Sequence, residues 1–153
     1  MSVLGNTNQT KAIRVVESVL KGLGLDPEKN RISSSAGETT WQLSRGSADV
    51  MIAVNAAAGG GAPRLRLVAP IVKVADVAPA LAVELLRLNA TALPGIAFGL
   101  FRDDLVALVA ERSTAGLARA EVEELLAAIG HYADKYDDLL VNRFGGRRVC
   151  DLG

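Results

Sequence analysis

Residues Val77 to Ala110 constrain the fold more tightly than any other stretch of this chain. They read VAPALAVELLRLNATALPGIAFGLFRDDLVALVA: a helix, a Pro-Gly break, then two strands joined by a polar turn. Val77, Leu81, Leu85 and Leu88 recur at helical spacing, and Ala78, Ala80, Ala82 and Glu84 are good helix formers, which predicts a helix over Val77 to Asn89. Asp76 stands where an N-cap carboxylate would accept from free backbone N–H groups, and Pro79 falls in the first turn, where a missing N–H costs little. Val83 and Leu86 widen the apolar arc beyond one stripe, so this helix should be buried on two sides, inside one subunit or between two. Leu93-Pro94-Gly95 ends it. Ile96, Phe98 and Leu100 alternate with Ala97, Gly99 and Phe101 as a strand does, Arg102-Asp103-Asp104 makes a turn, and Leu105 to Ala110 is an apolar run suited to an inner strand.

The rest of the chain fits around that unit. Met1 to Gln9 reads as a flexible lead-in. Thr10 to Leu23 reads as a first helix, with Ile13, Val16, Leu20 and Leu23 on one face and Lys11, Arg14, Glu17 and Lys21 outward. From Arg31 the period changes to two. Strands are expected at Thr40 to Arg45, at Asp49 to Ala57 and from Arg64 to Ile71, with Ala58-Gly59-Gly60-Gly61-Ala62 as a flexible link. Short links between strands make an antiparallel meander. Ala118 to Asn142 reads as a long final helix opened by Glu121, Glu123 and Glu124, which suit the positive end of the helix dipole. Gly145-Gly146 stops it. The expectation is a flexible N-terminus over 1–9, a single α+β domain over 10–146 in the order α-β-β-β-α-β-β-α with a mostly antiparallel sheet, and a tail over 147–153.

Charge and composition exclude several function classes. The chain has 17 basic and 17 acidic side chains, which argues against non-specific nucleic-acid binding. One cysteine, Cys150, cannot form an internal disulfide and suits a reducing, cytoplasmic setting. The sequence MSVLGNTNQT lacks the basic and apolar blocks of a signal peptide, and no uncharged apolar stretch of ~18 residues suggests a membrane span.

No residue set points to catalysis, a metal or a cofactor. His131 is the sole histidine and has no orienting or co-ligating partner in the sequence pattern. Cys150, beside Arg147 and Arg148, reads as an incidental thiol in a tail. Gly59-Gly60-Gly61 is followed by Ala-Pro-Arg and a strand, not by the Gly-Lys-Ser/Thr and helix of a phosphate loop. Asp103-Asp104 with Glu111 reads as turn chemistry, and Asp134, Asp137 and Asp138 as the wet side of a helix. Three features could meet a partner. Leu81, Leu85 and Leu88 on the central helix could bury against a second subunit. Trp41, the only tryptophan, could anchor a contact if it faces the open side of the sheet, and otherwise belongs to the core. Arg64 and Arg66 share one strand face and, with Arg45 near, could touch an anion or an acidic peptide.

The element order and the text from Leu85 to Ile129, LLRLNATALPGIAFGLFRDDLVALVAERSTAGLARAEVEELLAAI, resemble the YbjN family of sensory transduction regulators and the neighbouring Tir-chaperone (CesT-type) family. The shared pattern is a Leu-rich helix ending near an Asn, an alternating Phe/Gly/Leu strand, a polar turn, an apolar strand and a helix opened by acidic residues. Leu85, Leu86, Asn89, Phe98, Gly99, Leu105 and Val106 fill those places, and Ala133 to Tyr136 with Phe144-Gly145 also looks similar to the YbjN side. The resemblance implies a type III secretion chaperone-like fold. It also implies a non-enzymatic homodimer that binds a segment of another protein, along apolar grooves or by adding a strand to an open sheet edge. It carries over no catalytic residue and no cofactor. The neutral charge departs from the acidic balance of secretion chaperones and points toward the regulator-like branch. A sensor of small anionic ligands or nucleotides, using Arg64 and Arg66, is the alternative.

Overall fold

The computed structural model describes residues 3–56 and 61–153. Its elements follow in the order α1 (Val3–Gly22), α2 (Pro27–Asn30), β1 (Arg31–Ser34), β2 (Glu38–Arg45), β3 (Ala48–Asn55), β4 (Arg64–Lys73), α3 (Pro79–Thr91), β5 (Ala97–Phe101), β6 (Leu105–Ser113), α4 (Arg119–Phe144) and β7 (Arg147–Arg148), closing on a 3-10 turn over Val149–Asp151. The expected α+β architecture and element order are therefore present, with a short helix and two short strands added. The strands form one sheet in the order β1-β2-β3-β4-β6-β5, and β7 pairs with β4. The expected glycine link overlaps residues 57–60, outside the described residues.

The chain forms two compact units whose segments interleave. The first takes in the chain up to Leu43, Met51–Leu67 and Glu111–Glu124; the second takes in Ser44–Val50, Val68–Ala110 and Leu125–Gly153. In the first unit, Ala12, Val16, Val19 and Leu20 of α1 are buried, as are Trp41, Leu43, Ile52, Val54, Leu65 and Leu67 of the sheet. Buried and exposed positions alternate along β3, so one face of that strand is dry and the other wet. In the second unit, Leu81 and Leu85 of α3, Phe98, Val106 and Leu108 of the hairpin, and Leu126, Ile129, Tyr136 and Leu140 of α4 make the core. The ring edge of Tyr136 meets Phe98 with centroids 5.4 Å apart.

Three boundaries differ from the sequence expectation, each for a physical reason. Helix α1 begins at Val3 and not at Thr10, because the buried line of Val16 and Ala12 continues through Gln9, a polar side chain that hydropathy does not count. Helix α3 begins at Pro79, not Val77. A proline disfavours helical backbone in the residue before it, and Ala78 is extended at φ −66° and ψ 141°. Ala78 thus occupies the N-cap without a side-chain hydrogen bond, so Asp76 is not the cap. The expected tail over 147–153 is structured at its start: Arg147 and Arg148 pair antiparallel with Lys73 and Val72. Arg148 also donates to Asp151 at 2.8 Å and pairs with Asp138 at 3.2 Å. The hydrogen bond from Arg148 holds the Asp151 carboxyl below its ordinary pKa.

Gly146 makes the return to β4 possible. It has φ +89°, and a Cβ there would run into the carbonyl oxygen of Lys73. Gly146→Ala should therefore cost about 2 kcal/mol through left-handed strain and lost β4–β7 pairing. Urea unfolding monitored by circular dichroism checks this.

Candidate partner-binding surface

A sheet that is not closed has two edges, and each presents unpaired backbone groups unless something covers them. The strand order puts β5 at one edge and β1 at the other. These two edges are treated differently.

The middle of the β5 edge, at Phe98, is capped by a side chain. In the β5–β6 register Phe98 lies opposite Leu108. Its N–H donates to Asn89 Oδ1 at 2.6 Å, and Asn89 Nδ2 donates to its carbonyl oxygen at 3.1 Å. The primary amide of Asn89 thus stands in for one residue of a neighbouring strand. Helix α3 supplies it from its third turn. At the far end of the hairpin Asp103 and Asp104 adopt φ of 66° and 57°, a left-handed backbone that aspartate tolerates better than most residues, and the Asp104 carbonyl accepts from the Val74 N–H.

Among the described residues no strand covers β1. It is four residues long, and its register with β2 shifts between Arg31 and Ser33, so Ile32 falls at the irregularity. Ile32 is 54% exposed, unusual for a β-branched apolar side chain on a strand. The strand is nonetheless anchored at its start. Arg31 pairs with Glu17 of α1 at 2.7 Å and with Glu28 of α2 at 2.9 Å, and Asn30 Nδ2 donates to the Gln42 carbonyl at 2.9 Å. Asp26 caps α2 by accepting from the Glu28 N–H. The result is a fixed but unpaired edge that carries one exposed apolar side chain.

The residues singled out from sequence fall in different places. Trp41, Leu81 and Leu85 are buried within the chain and face its core, one of the two readings the sequence offers for them. Leu88 is half-buried. The apolar side chains that α3 leaves exposed are on the opposite arc: Val83 at 45% and Leu86 at 70%, on one line with Pro79 and Ala90. The sequence marks the helix as apolar on two sides but not which side is the inner one. Arg64 is engaged, donating to Glu111 at 2.9 Å, so Arg64 and Arg66 do not form a strip of two unpaired cations. Glu111 is correspondingly that partner and not a member of an acidic group with Asp103-Asp104.

The α4 aspartates are not simply solvated. Asp137 is buried and accepts from Ser47 Oγ at 2.7 Å, while Asp134 accepts from the Ser47 N–H at 2.7 Å, so the pair fastens the β2–β3 turn. Exposed His131 packs edge-on against Tyr132, and Cys150 is exposed. Among the described residues no cluster of His, Cys, Asp and Glu could hold a metal ion, and no helix is long and apolar enough to cross a membrane.

The fold is shared with proteins of several solved complexes. The chain is 20% identical to a protein of the ExsC-ExsE complex, with a TM-score of 0.63 over 86% of this chain and 95% of that one. It is 12% identical to a protein of the HopA1-SchA chaperone-effector complex, with a TM-score of 0.61 over 90% of this chain and 99% of that one. It is 14% identical to a protein of the heterodimeric ExoU-SpcU complex from the type III secretion system of Pseudomonas aeruginosa, with a TM-score of 0.57 over 81% and 96%. No curated protein sequence matches the chain. Residues 11–152 match the family described as T3SS (YopN, CesT) and YbjN peptide-binding chaperone 1, and the chain belongs to that family.

Proposed function

We propose that this protein acts by binding and not by chemistry, holding an extended segment of a partner protein along the open edge of β1, as a cytoplasmic homodimer joined through the outer arc of α3. The observation that carries this reading is the difference between the two sheet edges: Asn89 caps β5 at Phe98, while β1 is anchored yet unpaired and exposes Ile32. Strand addition to such an edge supplies affinity through backbone hydrogen bonds, and an apolar side chain beside it supplies a pocket contact. Membership of a peptide-binding chaperone family supports the same reading, as does a structural neighbour described as a chaperone-effector complex.

The dimer reading rests on Val83 and Leu86. Full burial of a Val or Leu side chain contributes about 1.5–3 kcal/mol, and a two-fold interface counts each twice. Val83→Glu with Leu86→Glu should therefore halve the mass found by light scattering from twice the chain mass to one, with folding retained because both side chains are exposed in the single chain. A wild-type mass of one chain at high concentration would refute the dimer. For the edge, capture of the tagged protein from its native cytosol followed by mass spectrometry should enrich one dominant partner. Ile32→Glu, which places a charge on the edge, should lose it without a change in melting temperature. Equal enrichment by wild type and variant would remove β1 as the binding edge.

A further inference from the structure

We propose that the cleft where α1 meets the start of α4 receives an acidic stretch of the partner's chain, beside the segment held on β1. This rests on the reading of β1 as the binding edge and adds what the partner must carry next to it.

The cleft has a volume of about 530 Å3 and is lined by Arg14, Glu17, Ser18, Lys21, Gly22 and Arg119. A second hollow of about 220 Å3, lined by Thr7, Thr10, Lys11 and Arg14, continues it along α1. Lys11, Arg14, Ser18 and Lys21 recur at three- and four-residue spacing, so they share one line of the helix. The three cations are exposed, and among the described residues none of them is in an ion pair. Arg119 is fixed from two sides, donating from Nε to Glu123 at 2.6 Å and from Nη1 to Ser18 Oγ at 3.1 Å. Gly22 gives it room, since a Cβ there would collide with Arg119 Nη2. Among the described residues Glu17 is the only carboxylate lining the cleft, and it is committed to Arg31 at 2.7 Å.

The cleft therefore concentrates positive charge in a chain whose formal net charge is zero. That excess is local, which suits a short run of carboxylates. Binding a nucleic acid by its backbone would need many phosphate contacts spread over a broad basic surface. Lys11 and Lys21 are about 15 Å apart along a helix, the length of roughly five residues of extended chain. The Glu17–Arg31 pair joins α1 to the first residue of β1, so a segment laid on β1 has the cleft as its neighbour.

Selection of displayed random peptides against the purified protein tests this. Enriched peptides should carry an acidic run of about five residues beside an alternating apolar stretch. The best of them, made synthetically, should bind Arg14→Glu/Lys21→Glu at least tenfold more weakly, and wild type more weakly as salt is raised. The same peptide with Gln in place of its acidic residues should bind wild type and variant alike. Arg14→Gln/Lys21→Gln serves as a milder second variant if charge reversal impairs folding. Enriched peptides lost with Ile32→Glu but without an acidic run would overturn this inference and leave the β1 reading intact. No enrichment at all would overturn both, and tighter binding of single-stranded DNA than of the acidic peptide would assign the cleft to nucleic acid instead.

Discussion

Asn89→Leu should destabilise the protein by about 2–4 kcal/mol and make it prone to self-association. Leucine fills nearly the same volume but neither donates nor accepts, so the half-buried N–H and C=O of Phe98 both lose their partner. Each unmade bond of this kind costs about 1–3 kcal/mol, toward the lower end where water can reach the group. The two bonds measure 2.6 and 3.1 Å, so both are well formed. Asn89→Asp separates the contributions: its carboxylate still accepts from the Phe98 N–H but cannot donate to the carbonyl, so about half of the loss is expected. Chemical denaturation gives the stability, and sedimentation gives the association. An Asn89→Leu variant as stable and as monodisperse as wild type would mean that β5 needs no cover, and the contrast between the two sheet edges would fall.

The parts of the fold that were legible in the sequence are those where one residue pattern fills a whole element. Val50, Ile52 and Val54 alternate along β3, and the apolar line of Val122, Leu126, Ile129, Ala133, Tyr136 and Leu140 marks α4. The short pieces were not legible. Residues Pro27–Asn30 and Arg31–Ser34 are too few for a period to emerge, and Arg31–Ser34 carries mostly polar side chains because it is an edge. Nor does a hairpin state which of its strands pairs inward. The apolar run of β6 suited an inner strand, and it is β6 that neighbours β4, yet nothing local in β5 marks it as the outermost.

The candidate surface was less legible than the fold. Hydropathy counted Leu81, Leu85, Val83 and Leu86 together on one helix, and only the packing of α3 decides that the first two turn inward and the last two outward. Asn89 was visible as a polar residue near the helix end, but its function depends on Phe98 across a turn. The Asn before a Pro-Gly break and an alternating strand was the one signal available. Asp137 misleads for the opposite reason. It sits in an acidic run that looks solvated, and only the return of Ser47 from far along the chain makes it a buried acceptor.

Trp41→Ala should cost about 3–5 kcal/mol, the range for removing a large aromatic side chain from a core. Trp41 is fully buried and lies opposite Arg31 in the β1–β2 register. A small protein has about 5–15 kcal/mol of stability in total, so this loss would leave a substantial unfolded fraction in mild denaturant. Trp41→Phe should behave very differently. The Trp41 Nε1–H is buried and finds no hydrogen-bond acceptor among the described residues, so phenylalanine removes an unsatisfied donor while it loses one ring of packing. These effects oppose each other, and a net change within about 1 kcal/mol is expected. Unfolding curves followed by far-ultraviolet circular dichroism, which needs no tryptophan signal, compare the three proteins directly. If Trp41 were a partner anchor, Trp41→Ala would instead keep its stability and lose only binding, and the core assignment would have to be given up. A core Trp41 predicts the converse pattern: Trp41→Phe folds and binds as wild type does, while Ile32→Glu, only a short way along the chain on the exposed strand, folds as wild type and fails to bind.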